Sequence, residues 1–486
     1  MEQLIKNQLH TADIETWSSD GSGVCRIGGR AVFVKGAIPG ERWVIRIVRV
    51  GTSAVWARGM ELLSPSPHRI EPDCPVYGRC GGCALRHVDY AAELEFKIQR
   101  VNDCYQRIGG LSLRAGEILG ADEPDGYRNK AIYAIGSGPC CGFFRPRSHD
   151  VIPVERCRIQ TEGSVRAARA LCDFMRAHNI PAYDEGSGRG LVRHIFTRNG
   201  LRSGEMQITV VAAGGFGALT SPLVDALRCA VPEATGILLN VNKTRGNTVL
   251  SGSFYTLWGS PVMHDTLCGL EFELSPLSFY QVNPLQAEKL YAKALEFAAP
   301  DGKGLVLDLY CGAGTISLCL AKGAERVIGA EIVPEAVENA RRNAARNGIE
   351  NVEFLCADAG QAAAELAARG AAPDAVVLDP PRKGLNRQTI DAVCAMSPHR
   401  IVYVSCDPAT QARDLSLFVQ QGYAPQEAIC VDMFPRSWHI ETVCLLSKLR
   451  TDHHIEVELS MDEMDLTAAE SKATYQEIKI TQEDDT

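Results

Sequence analysis

Tyr403-Val404-Ser405-Cys406-Asp407-Pro408-Ala409-Thr410 is the stretch on which the reading of this chain turns. Ile401 to Val404 is a short apolar run of the kind that forms a buried strand, and Pro408 stops it from continuing. Cys406 is thereby presented at the carboxyl end of a strand, the edge where open α/β sheets bind their ligands. Two further segments repeat this design. Asp379-Pro380-Pro381-Arg382 follows the apolar run Ala375 to Leu378, and Asp308-Leu309-Tyr310-Cys311-Gly312-Ala313-Gly314-Thr315 follows Leu305 to Leu307. A thiol, a carboxylate and a glycine turn at three strand ends make a site.

From about residue 266 helices and strands alternate. Ser278 to Pro284 leads into a helix through Gln286, Leu290 and Leu295; strand Arg326–Ala330 ends at Glu331; helix Pro334 to Asn347 precedes strand Val352–Leu355 and Asp358. This βαβαβ order predicts a Rossmann-like α/β domain with a parallel sheet and helices on both faces. The turn at Gly312 and Gly314 would bring backbone amides to a cofactor, and Glu331 could take two hydrogen bonds from a ribose. Position 317 is Ser where a dinucleotide fingerprint has its third glycine. With Asp358 placed for an adenine amino group, the pattern suits S-adenosylmethionine better than NAD. Pro380-Pro381 has no N–H to donate and fixes a rigid lip over the site. Cys406 is the candidate nucleophile, and Glu441, within Phe434 to Val443, the candidate base.

Residues about 11 to 62 read as a small all-β unit with glycine turns. In Arg42 to Val50 cations alternate with apolar residues, so one face would pack while Arg42 and Arg46, with Lys35 nearby, face outward. A five-stranded OB-like barrel tracking a phosphate backbone is expected. Next, Cys74, Cys80 and Cys83 follow the spacing C-x5-C-x2-C. Such spacing turns several sulfurs onto one centre; Cys157 is the candidate fourth ligand and Cys140-Cys141 the competitor. Zinc and an iron–sulfur cluster both suit four thiolates. Helical spacing at Leu94, Ile98, Val101, Tyr105 and Ile108 predicts a helix packed beside the cysteines. Residues 120–265 are strand-rich, with basic and stacking groups that could hold RNA. The domains are therefore expected at 1–65, 66–265 and 266–449, followed by an acidic tail at 450–486 with a helix start at Thr467.

That tail explains the charge. From Thr451 to Thr486, eleven Asp or Glu against two Lys account for the whole formal charge of −9, so acidity does not exclude nucleic acid as a partner. No apolar run of membrane-spanning length occurs, and Met1 to Asn7 lacks a signal-peptide core. A cytoplasmic protein is expected, with its eighteen cysteines mostly reduced, no membrane partner, and no feature demanding more than a monomer.

Ser278-to-Pro284, Asp308-to-Thr315, Asp379-to-Gly384, Ser405-to-Asp414 and His439-to-Val443 together resemble the successive motifs of the RNA uracil-C5 methyltransferases. The Asp20-to-Gly23 turn and the Val34-to-Glu41 run resemble a TRAM domain, and the cysteine spacing is similar to the 23S ribosomal RNA branch, whose members carry that domain and a 4Fe-4S cluster. The tRNA branch typically lacks both. The resemblance implies formation of 5-methyluridine in 23S rRNA, with Cys406 attacking carbon 6 of uracil, Glu441 removing the proton at carbon 5, and Gln281, Tyr310, Thr315, Glu331, Asp358 and Asp379 lining the cofactor site. It implies a 4Fe-4S cluster on Cys74, Cys80, Cys83 and Cys157. Arg436-Ser437-Trp438 departs from the family's His-rich run before His-x-Glu but leaves Glu441 in place. The competing readings are the T-loop uridine of tRNA as substrate and a non-catalytic RNA-binding assembly factor. A 5-methylcytosine enzyme would place a Cys beside the Pro of the Asp379 motif, and a radical methylthiotransferase would need C-x3-C-x2-C.

Overall fold

The strands Leu305–Leu309, Ala375–Leu378 and Arg400–Ser405 lie side by side and parallel, as the apolar runs Leu305–Leu307, Ala375–Leu378 and Ile401–Val404 within them lead one to expect. Both faces of these strands are covered. Val306, Val377 and Val402 pack on one side with Leu290 and Leu318; Leu307, Val376 and Tyr403 pack on the other with Ile390 and Leu415. Parallel strands buried on both faces need no polar alternation. The full sheet has eight strands in the order Val352–Cys356, Arg326–Glu331, Leu305–Leu309, Ala375–Leu378, Arg400–Ser405, Glu441–Lys448, Tyr423–Val431 and Ala115–Leu119. The chain winds outward to one side of Leu305–Leu309 and then returns to the other, so a crevice opens at that strand's carboxyl end.

The coordinates are a computed structural model, which describes residues 4–449 apart from 147, 247, 300, 301 and 303. The acidic stretch 450–486, with its expected helix start at Thr467, lies outside the described residues.

Two other large sheets precede this one, with a two-stranded pair, Met263–Leu267 and Leu270–Leu274, between them and the helices that follow. The first has six strands between Leu9 and Ser64, one of them only Thr16–Trp17, around a core of Val32, Val34, Ile45, Ile47 and Val55. Its outward face carries the cations expected from the alternating pattern, and the register aligns them. Arg46 lies opposite Arg58, and Arg58 opposite Lys35. The second sheet has seven strands between Lys130 and Gly259, with helices Glu162–Ala177 and Thr220–Ala230 packed on one face. Ala115–Leu119, inside the stretch expected as central domain, is the edge strand of the last sheet, paired parallel with Tyr423–Val431.

The helix after the cysteines spans Tyr90–Arg107. Its expected apolar stripe is only partly its inner face: Val101 and Tyr105 are buried, Ile108 is exposed, and Glu93, Phe96 and Lys97 take the inner positions. Asp89 caps it, its Oδ1 accepting the Ala92 N–H at 2.8 Å.

Candidate active site

At the end of Leu305–Leu309 the backbone turns through Tyr310, whose φ of 79° is a left-handed conformation costing a bulky residue about 1–3 kcal/mol. The N–H groups of Tyr310 and Cys311 both donate to Ala330 O, at 2.9 and 3.0 Å, and hold that turn against the next strand. Gly314 follows with φ 82°, and a Cβ there would lie 3.0 Å from Phe354 and 3.1 Å from Ala340. Only glycine fits. Glu331 ends the neighbouring strand; its Oε2 accepts the Gly312 N–H at 3.1 Å and its Oε1 the Val333 N–H at 2.9 Å. Asp358 caps helix Ala359–Ala368 through Oδ1, which accepts from Gly360 N at 3.0 Å.

These groups open into one cleft of about 1160 Å³, which Gln281, Tyr310, Glu331, Asp358, Asp379, Cys406 and Glu441 all line. Thr315 is not among the lining residues; it begins helix Thr315–Ala321, with its hydroxyl 3.2 Å from Tyr291 OH. The cleft also has an apolar rim that the sequence reading assigned no role: Leu277 and Phe279 are each about two-thirds exposed, and Ile332 nearly so. Flat apolar walls suit the faces of aromatic ring systems. Ser278 to Val282 is braced from the central sheet. Arg198 Nη2 donates to Ser278 O at 2.7 Å, Asn129 Nδ2 to Gln281 O at 2.9 Å, and Asn129 N to Val282 O at 2.8 Å.

Cys406 and Glu441 meet through strand register. Ser405 pairs with Thr442 across antiparallel strands, and Thr442 Oγ1 donates to Ser405 O at 3.1 Å. Continuing that register by one residue sets Cys406 opposite Glu441. Burial, then the charges of Glu441 and Asp379, push the Cys406 thiol up to about 11, while Arg382 opposes them by charge and a hydrogen bond. Burial and then Asp379 hold Glu441 well above the usual carboxyl range. Burial and then Asp308 raise Asp379 to about 7. A carboxyl raised in this way takes a proton more readily than a solvated one. Arg382, whose charge acts on both Cys406 and Glu441, is a site residue to which the sequence reading gave no role.

Cys74, Cys80, Cys83 and Cys157 line one cavity of about 300 Å³, with Arg86, Arg128, Lys130 and Arg158 also on its wall. Cys140 lines a different cavity, and Cys141 is buried in the central core with Cys172. Among the described residues no group of three or more His, Cys, Asp or Glu side chains is arranged to hold a metal ion. Among them also, no helix is long and apolar enough to cross a membrane.

On the outward face of the N-terminal sheet, the Arg46–Arg58–Lys35 row lies beside a second row in which Arg49 sits 4.9 Å over the Trp56 ring and Phe33 stacks on Trp56 at 6.3 Å. Like charges directly opposite on a sheet disfavour folding by roughly 0.2–1 kcal/mol a pair. A polyanion laid across the row would relieve that repulsion.

Residues 270–449 match the family model described as tRNA (Uracil-5-)-methyltransferase. A protein of Clostridium acetobutylicum named as an uncharacterized RNA methyltransferase is 39% identical over 458 residues, covering 92% of this chain and 100% of that protein. One of Halalkalibacterium halodurans with the same description is 40% identical, covering 91% of this chain and 97% of that protein. Among solved structures, the Pyrococcus abyssi tRNA (uracil-54, C5)-methyltransferase in complex with S-adenosyl-L-homocysteine is similar with a TM-score of 0.74 and 27% identity. The likeness covers 90% of this chain and 99% of that one.

Proposed function

We propose that this chain, which belongs to the RNA uracil-C5 methyltransferase family, methylates carbon 5 of a uridine in 23S ribosomal RNA through a covalent bond from Cys406 to carbon 6. The observation that carries the reading is the register that sets Cys406 opposite Glu441 in a cleft whose far wall is the Gly312–Glu331 corner. S-adenosylmethionine supplies an electrophilic methyl group, and Gln281, Tyr310, Glu331, Asp358 and Asp379 are the residues to hold it.

Carbon 5 of uracil is a weak nucleophile. The Cys406 thiolate adds to carbon 6, forming the S–C6 bond, and the C5=C6 electrons move onto the carbonyl at carbon 4 as an enolate. That enolate makes carbon 5 nucleophilic enough to accept a methyl group. Glu441 then takes the proton from carbon 5, the C5=C6 bond re-forms, and the C6–S bond breaks to free Cys406. Arg382, whose charge and hydrogen bond lower the Cys406 thiol, stabilises the thiolate. The target base must leave its stack to enter the cleft, at a cost of roughly a few kcal/mol. The cationic and aromatic rows of the N-terminal sheet, read as a TRAM-like module, and the central sheet would hold the flanking RNA and offset it.

Cys74, Cys80, Cys83 and Cys157 are the residues to hold a 4Fe-4S cluster. The donor type suits it: four thiols line one cavity with Arg86, Arg128, Lys130 and Arg158 on its wall, and binding would draw in sulfurs that as placed form no metal-holding group. Two of these cations are already anchored, since Arg86 pairs with Asp73 and Asp125, and Arg158 with the same two carboxylates. The transfer consumes no electron, so the role we assign the cluster is structural or RNA-positioning.

The uridine of a tRNA T-loop is the second reading, favoured by the likeness to the Pyrococcus abyssi tRNA enzyme. That likeness extends over nearly the whole chain, so the presence of the N-terminal and central sheets does not by itself separate the substrates. Labelled S-adenosylmethionine, offered with unmodified 23S rRNA and tRNA in parallel, decides between them. Recovery of 5-methyluridine from the rRNA digest supports the proposal; label only in tRNA overturns its substrate, and label in cytidine overturns its base.

A further inference from the structure

Helix Tyr90–Arg107 begins seven residues after Cys83, and its inner face buries charge. The side chains of Lys97, Glu93 and Asp432 are wholly buried. Lys97 Nζ donates to Glu93 Oε1 at 2.7 Å, to Asp432 Oδ1 at 2.6 Å and to Phe434 O at 3.2 Å. Tyr90 OH donates to Asp432 Oδ2 at 2.7 Å. Glu93 Oε1 also accepts the backbone N–H of Arg436 at 2.7 Å, at a residue whose φ is 68°. Arg436 O in turn accepts the N–H groups of Ala84 and Leu85, at 2.8 and 3.1 Å, immediately after Cys83. Further along, Arg100 Nη1 donates to Trp438 O at 3.0 Å and its guanidinium lies 5.0 Å from the centre of the Trp438 ring.

Every one of these anchors falls on one loop, between strands Tyr423–Val431 and Glu441–Lys448. The loop contains Phe434, which lines the cleft, and delivers Glu441. Stability does not explain such a device. Removing a lysine from water is costly, and packed hydrocarbon in place of a buried ion cluster is often neutral or stabilising. A buried network bonded at most of its polar atoms fixes one arrangement of its members, which hydrocarbon does not; Glu93 Oε2 makes no hydrogen bond here and faces Arg436 Nη1 at 3.6 Å.

We propose that Glu93, Lys97 and Asp432 are positioning residues for the base: they hold the 432–440 loop in the one register that faces Glu441 to Cys406. The proposal rests on the reading of Glu441 as the base. It separates the two halves of the chemistry, because Cys406 stands on its own strand while Glu441 depends on the loop. RNA with 5-fluorouridine at the target isolates the first half. Cys406 adds to carbon 6, and with fluorine at carbon 5 there is no proton for Glu441 to take, so the adduct persists.

The test compares Asp432→Asn, which keeps the shape and removes the charge, with Tyr90→Phe, which removes the bond to Asp432 and the one accepted from the Ala121 N–H, and with Glu441→Gln. The expected result for Asp432→Asn is turnover on ordinary RNA lowered about 10- to 100-fold, short of the 10²–10⁴ that a general base contributes. KM for RNA stays unchanged, and adduct formation with fluorinated RNA continues at the wild-type rate. This is the pattern of Glu441→Gln, and Tyr90→Phe shows a weaker form of it. Wild-type turnover in both folded variants overturns the proposal, as does loss of adduct formation in step with turnover. If Asp432→Asn does not fold, Tyr90→Phe decides by the same criteria. Wild-type turnover in Glu441→Gln overturns the assignment of the base itself, and this proposal with it.

Discussion

Alkylation of Cys406 by iodoacetamide, followed against pH in the cofactor-free protein, should report a thiol pushed up to about 11. At pH 8 such a group is about 0.1% thiolate, against roughly a quarter for a free cysteine of pKa about 8.5, so the site holds it back a few hundred-fold. Because only the thiolate reacts, the rate should climb about tenfold per pH unit through pH 10, where a free thiol has already levelled off. Burial is the largest cause, and the charges of Glu441 and Asp379 add to it while Arg382 opposes it. Two substitutions must therefore act with opposite sign. Asp379, itself raised to about 7, is ionised at pH 8, so Asp379→Asn removes a negative charge and speeds alkylation. Arg382→Met removes the opposing cation and slows it. Mass spectrometry of the Cys406 peptide, with the exposed Cys229 and Cys356 as references, gives each rate within one sample. A plateau near pH 8.5, or slower alkylation in Asp379→Asn, would refute the electrostatic account of the nucleophile.

Asp379→Asn should also raise the melting temperature, and the gain should depend on pH. A carboxyl at about 7 when folded and 3.8 when unfolded costs stability that appears as pH rises from 3.8 and is complete above 7, up to about 4 kcal/mol at 1.36 kcal/mol per unit. The gain measured by calorimetry should thus be larger at pH 8 than at pH 4. Replacing Arg46, Arg58 and Lys35 together by Gln should weaken RNA binding for all sequences and flatten the salt dependence by about 2 in slope, at roughly 0.7 per phosphate contact. Filter binding at several salt concentrations checks it, and Cys406 alkylation should not change. Cys157→Ser should abolish anaerobic loading of about four irons per chain, while Cys140→Ser should not. Iron analysis beside the wild type distinguishes the two cysteines.

The parallel strands were legible because strands buried on both faces read as unbroken apolar runs, as in Ala375 to Leu378. The glycine turn and Glu331 were legible because a backbone that must approach a ligand tolerates little else, as the close contacts of a Cβ at Gly314 confirm. Other features depend on partners distant in the chain. Glu93 and Lys97 stand four residues apart on a helix, the spacing of an ordinary solvated pair; only Asp432, more than three hundred residues away, makes them a buried network. The alternating cations of Arg42 to Val50 were visible, but their alignment with Arg58 and Lys35 follows from register across three strands. Arg382 sits inside a motif, yet nothing local tells that it reaches Cys406. The expected apolar stripe on helix Tyr90–Arg107 failed at Ile108 for a related reason: the helix packs by its tertiary partners, and those include charges as well as hydrocarbon.

Peptide mapping of the complex formed with S-adenosylmethionine and RNA carrying 5-fluorouridine at the target tests the central claim most directly. The expected product is the peptide containing Cys406 linked to one nucleotide bearing an added methyl group, absent in Cys406→Ala. A protein that transfers methyl to ordinary RNA but forms no linkage, or forms it through another residue, would contradict the account.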